Sequence, residues 1–259
     1  HLQSGSAGED GSPELIAYHL GEGARWREAA SWWLRAGKKA TVLQAHQEAI
    51  AQLRKGLECI DHCSEDRERD LVELDLQIAL GGVHMQSAGY GAPEVEKAYQ
   101  RARLLFERQD LDDAERRFAI LSGLRRIYTH LGLAEAAEVA SQECLDIAQR
   151  TDSPEMLREA YYSRGLCYYL GGQCTPALVE FERGASHEYL DAVGGETRGE
   201  LPESEEPPGD GNPPVRWDIG LNHSIGAIVL WHCGFPERAK QWCATALALT
   251  ERIEEAYGK

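Results

Sequence analysis

The sequence predicts an all-α fold, a right-handed α-solenoid of antiparallel helix hairpins, on three observations. Apolar residues recur at i, i+3, i+4 and i+7, as in EVEKAYQRARLLFERQ and EAAEVASQECLDIAQR, on a background of strong helix formers. No stretch of four or more residues alternates with β-branched enrichment. One spacing of small and bulky residues returns down the chain, the sign of a stacked repeat.

The periodicity places helices over 13–21, 25–41, 44–61, 66–87, 93–108, 112–131, 134–150, 154–170, 175–189, 217–232 and 236–256. Pro13, Pro93, Pro154, Pro176 and Pro236 stand at the start of such runs, where proline's missing N–H costs nothing and its fixed φ suits the first turn. The junctions are short, which makes consecutive helices antiparallel neighbours. The remaining prolines, Pro202, Pro207, Pro208, Pro213 and Pro214, lie in the Gly- and acid-rich stretch from Leu190 to Arg216. Such a stretch buries too little apolar surface to offset its ordering entropy, so a disordered acidic insertion is expected at about 191–214. Residues 1–12 are expected to be a disordered N-terminal segment, and 13–259 one repeat domain that the insertion interrupts.

The repeat is clearest in LGGQCTPALVEFERG, where Gly172, Ala177, Phe181 and Gly184 are spaced five, four and three apart. The same spacing recurs at Gly132, Ala137, Ser141 and Cys144, and at Gly234, Ala239, Cys243 and Ala246. Weaker copies run through Pro93, Ala98, Ala102 and Leu105, through Ala24, Ala29, Trp33 and Ala36, and through Gln44, Ala49, Leu53 and Gly56. The mechanical reading is a turn residue followed by an alanine that lets two helix axes approach to ~8–10 Å. The alanines at 98, 137, 177 and 239 set a period of ~40 residues, with the acidic insertion inside the last interval, and about four to six hairpins in all.

Tyr161, Gly165, Tyr168, Gly172, Ala177, Phe181 and Gly184 together resemble a tetratricopeptide repeat, departing from it in the last small residue. A wider resemblance is carried by PELIAYHLGEGARWREAASWWLRAGKKA, EAIAQLRKGLECI, ELDLQIALGG and GYGAPEVEKAYQRARLL. These segments resemble the repeat region of large bacterial signalling proteins. There an AAA-like signal-transduction ATPase is followed by tetratricopeptide repeats, and a class III adenylate/guanylate cyclase or kinase domain often precedes them. The resemblance implies that this chain is the repeat region and that the nucleotide chemistry lies upstream of His1.

Charge and composition narrow the partners. The chain has 27 Lys+Arg against 43 Asp+Glu, net −16, with no basic stretch free of neighbouring acids, so no nucleic-acid partner is expected. The longest apolar run, Ile225 to Trp231, is far short of the ~18 residues of a membrane span. Seven cysteines without a framework spacing fit a reducing, cytoplasmic setting.

Chemical motifs are weak. Gly37-Lys38-Lys39 lacks the earlier glycine and the Ser/Thr of a phosphate loop, and Gly21-Glu22-Gly23 reads as a turn. Cys59, His62, Cys63, His232 and Cys233 offer soft ligands without paired zinc spacing, and the HEYLD string at His187 lacks the second histidine of a zincin. Asn222-His223-Ser224 matches a glycosylation sequon but falls in a helix. No catalytic residue, cofactor or metal site is therefore expected. The expected working surface is the concave side, lined by the first helix of each hairpin. It would present Ser122, Arg126 and Thr129, then Tyr162, Leu166 and Tyr169, then Ser224, Ile228 and Trp231. Aromatic residues with an arginine suit recognition of a peptide, a protein or a neighbouring domain of the same polypeptide. A small signal held in the same groove is the alternative, and a closed ring of Tyr162, Tyr169 and Trp231 would favour it. Otherwise these aromatics serve only to fill grooves between helices.

Overall fold

The computed structural model describes residues 12–197 and 220–256, with side chains over 12–187, 220–249 and at 251. Eleven helices form among the described residues. They are α1 (Pro13–Glu22), α2 (Trp26–Val42), α3 (His46–Ile60), α4 (Arg67–Ala88), α5 (Pro93–Arg108), α6 (Ala114–His130), α7 (Ala134–Thr151), α8 (Pro154–Leu170), α9 (Cys174–Thr197), α10 (Leu221–His232) and α11 (Pro236–Ala256). Pro13, Pro93, Pro154 and Pro236 occupy the first positions of α1, α5, α8 and α11, and Pro176 lies in the first turn of α9. Asp66 and Ser153 cap α4 and α8 by accepting from the N–H groups of Arg69 (2.8 Å) and Met156 (3.3 Å). Two boundaries differ from expectation by more than two residues. The helix over 191–197 runs into the stretch expected to be a disordered insertion, and α10 begins at Leu221 rather than 217. The rest of that insertion, its prolines, and residues 1–11 lie outside the described residues.

The chain divides after Arg116 into two compact units. In the first, α2 packs on α3 and α4 on α5 as antiparallel hairpins, with α1 against α2. Its core gathers Ala17, Ala29, Trp33, Leu53, Ile60, Leu76 and Val83. Beside that core, the Arg101 guanidinium holds Glu73 by two bonds of 2.6 and 2.9 Å, tying α5 to α4. In the second unit α8 packs on α9 and α10 on α11, around Ala177, Leu178, Phe181, Val229, Leu230 and Ala239.

The repeated turn is one motif. After α1, α2, α6, α8 and α10 a residue takes a positive φ: Ala24 (55°), Gln44 (57°), Gly132 (71°), Gly172 (76°) and Gly234 (85°). In each case the following N–H reaches back five residues, as from Leu133 to the Tyr128 carbonyl (2.9 Å) and from Gln173 to that of Tyr168 (2.8 Å). This is the Schellman closure of a helix end.

Beyond the turn, the small positions do what their spacing suggested. Ala49, Ala98, Ala137, Ala177 and Ala239 are all buried. The first helix of a hairpin carries a glycine that receives a large side chain from the second: Gly37 takes Leu53, Gly81 takes Tyr99, Gly165 takes Phe181 and Gly226 takes Trp242. Gly37 is thus a packing residue inside α2, and Gly37-Lys38-Lys39 is helix, not loop.

Candidate partner-binding face

The first helices of the second unit, α6, α8 and α10, carry all nine residues expected on the working surface. They divide into a polar centre between α6 and α8 and an apolar margin between α8 and α10.

At the polar centre stands Glu159. Its Oε1 accepts from Arg126 Nη2 (2.7 Å) and from Ser122 Oγ (3.0 Å), with Arg125 Nη2 at 3.6 Å and Ser163 Oγ at 3.5 Å. Arg125 is 2% exposed. Burial pushes the Glu159 carboxyl up, but the two guanidinium charges and the Ser122 hydroxyl outweigh it and hold the group below its ordinary 4.5. A carboxylate so engaged is an ionised clamp between α6 and α8 rather than a proton donor. Ser122, expected on the surface, is buried in this clamp and leaves the face. Arg126 is half-buried and shared between Glu159 and the surface.

The apolar margin is built from helix spacing. Tyr162, Leu166 and Tyr169 follow at i, i+4 and i+7 along α8 and are half-buried against the Phe181 and Leu230 cluster. Tyr162 lies 6.1 Å from the Phe181 ring at 59°, so it packs a groove between helices. Tyr169 stacks on His232 (5.8 Å, 20°), its hydroxyl 3.1 Å from His232 Nδ1, joining α8 to the end of α10. Ser224 donates to the Gly220 carbonyl of its own turn (2.9 Å). Ile228 and Trp231, by contrast, are 46% and 61% exposed. Leu170, next after Tyr169, and Phe235, four residues past Trp231, are exposed as well.

Sequence reasoning missed Arg125 and Glu159, and weighed His232 only as a metal ligand. The first two carry no helix-surface signature, since a charge on a buried stripe is visible only once its partner some thirty residues away is known. Cys144, on α7, has its thiol pushed up to about 12 by burial and is a core residue. His62 stacks on Trp26 at 4.5 Å and Cys63 Sγ contacts the Cys59 carbonyl (3.5 Å). Among the described residues no three His, Cys, Asp or Glu side chains gather as a metal would require, and no helix is long and apolar enough to cross a membrane.

No protein-family model and no curated protein matches the chain. Among solved structures, the crystal structure of BtubC (BKLC) from P. vanneervenii aligns with a TM-score of 0.63 at 16% identity, over 93% of this chain and 86% of that one. That of MamA protein aligns at 0.45 and 16% identity, over 86% and 92%. The first likeness, with the helix order and the recurring turn, shows the fold class: an all-α solenoid of antiparallel, tetratricopeptide-like hairpins.

Proposed function

We propose that this chain is a non-catalytic protein-interaction module, and that its partner, a peptide or a protein segment, docks on the margin formed by α8 and α10. The observation that carries the reading is the exposure of Trp231 and Ile228 on α10, a large apolar anchor on the helix whose end Tyr169 of α8 meets through His232. Tryptophan and tyrosine in such settings dominate binding energy. The exposure of Trp231 supports an open furrow over a closed small-molecule ring.

Peptides selected on the full chain from a displayed random library test this. Trp231→Ala should weaken the selected peptides by about tenfold or more, corresponding to ~1.4 kcal/mol, whereas Cys243→Ser should leave them unchanged. Equal affinity for wild type and Trp231→Ala overturns the reading. Regulation of an ATPase-linked cyclase or kinase is the finer form of the proposal, and sequence resemblance alone supports it. ATPase, cyclase or kinase motifs in the reading frame upstream would support it further, and an unrelated frame there would remove it.

A further inference from the structure

Cys174 is the first residue of α9, and Cys233 caps α10 about sixty positions later. Both are half-buried free thiols that pack on the same cluster, with Ala177, Phe181, Val229 and Leu230 beneath them. The two side chains are within thiol hydrogen-bonding reach. The Tyr169–His232 contact draws the same pair of hairpin ends together, Tyr169 five residues before Cys174 and His232 next to Cys233. A pair held in contact from two different hairpins, with an open side to solvent, is what disulfide formation requires.

We propose that Cys174 and Cys233 are a site of reversible disulfide modification by peroxide, which covalently staples the α8–α9 hairpin to the α10–α11 hairpin. The contact between the two thiols leaves Cys233 within reach of a sulfenic acid formed on Cys174. Cys174 Sγ attacks one peroxide oxygen; the O–O bond breaks, the leaving hydroxide takes up the Cys174 thiol proton as water, and Cys174 carries a sulfenic acid. Cys233 Sγ then attacks that sulfur. The S–S bond forms, the S–OH bond breaks, and the hydroxyl departs as water with the Cys233 proton. The two thiols together lose two electrons and the peroxide gains them. The closed loop constrains the unfolded chain, and a dithiol reductant reverses the bond.

The test uses the full reduced chain treated with hydrogen peroxide near stoichiometry and read by intact mass, non-reduced peptide mapping and thermal unfolding. The expected product has lost the mass of two hydrogen atoms, with one cross-link between the Cys174 and Cys233 peptides. Its unfolding midpoint should rise by on the order of 5–10 °C and fall back with dithiothreitol. Cys174→Ser and Cys233→Ser should each abolish both the cross-link and the shift, while Cys167→Ser retains them. Oxygen addition without a cross-link, or a cross-link between other cysteines, overturns the proposal on the wild-type chain alone. So does a stabilisation that persists in either single variant.

Discussion

Gly165 and Gly172 are seven residues apart and needed for different reasons. At Gly165 an added Cβ would lie 2.8–3.0 Å from the Phe181 ring, which is fully buried and has nowhere to move. At Gly172 nothing stands within 4 Å, and the constraint is the positive φ of 76°. Gly165→Ala should therefore cost about 1–2 kcal/mol net, as overpacking outweighs the gain in helix propensity. Shortening the opposing ring with Phe181→Leu in that background should return part of the loss. Gly172→Ala should cost roughly 1–2 kcal/mol from backbone strain alone, and Phe181→Leu should not relieve it. Urea denaturation of the single and double variants separates the two mechanisms.

At the scale of the element, the five Schellman turns explain how much could be read from sequence. Proline in first turns and apolar periodicity placed eleven helices, because both signals are local. The end of α9 was not legible. Gly194, Gly195 and the neighbouring acids read as loop, yet an existing helix gains one hydrogen bond for each residue added and each glycine costs only about 1 kcal/mol. The candidate face was legible in part. Helix spacing placed Tyr169, Ile228 and Trp231 near a margin, but the burial of Ser122 follows from a clamp that spans two hairpins. The turns also supply a prediction. Gln44 is exposed and holds a left-handed φ of 57° where three sister turns have glycine. Gln44→Gly should stabilise the chain by about 0.5–1 kcal/mol, seen as a higher urea midpoint with an unchanged slope. A lower midpoint would mean that the Gln44 side chain contributes more than its backbone costs.

For the whole molecule, stability should respond to acid in two steps. His84 is buried on α4, and burial, with the nearby Arg54 charge, holds its imidazole below 6.5 despite the opposing influence of Glu94. The folded state thus prefers the neutral ring, so the contribution is complete above 6.5 and is lost as pH falls below it. Glu159 has its folded value below 4.5, so its contribution is present above 4.5 and is lost as pH falls through the folded value. Each group adds a slope of at most ~1.4 kcal/mol per pH unit. Unfolding midpoints measured from pH 8 to 3 should show the upper step in wild type and lose it in His84→Gln. Glu159→Gln leaves Arg125 and Arg126 without their carboxylate and should cost about 3–5 kcal/mol. Because repeats contact mainly their neighbours, amide exchange should quicken in α6 to α9 and leave α1 to α3 near wild type.

The packing of Asn222 has a consequence for where such a chain can be made. Its side chain is wholly buried, its Nδ2 3.4 Å from the Arg158 carbonyl and its amide seated where a Cβ on Gly184 would fall. The sequon Asn222-His223-Ser224 is thus hidden in the finished fold but open on the nascent chain. An oligosaccharide attached there during translocation would have to occupy the space that α9 fills. Production through a eukaryotic secretory route therefore sets sugar transfer against folding, and Asn222→Asp would not be a neutral remedy, since it places a carboxylate against a backbone carbonyl.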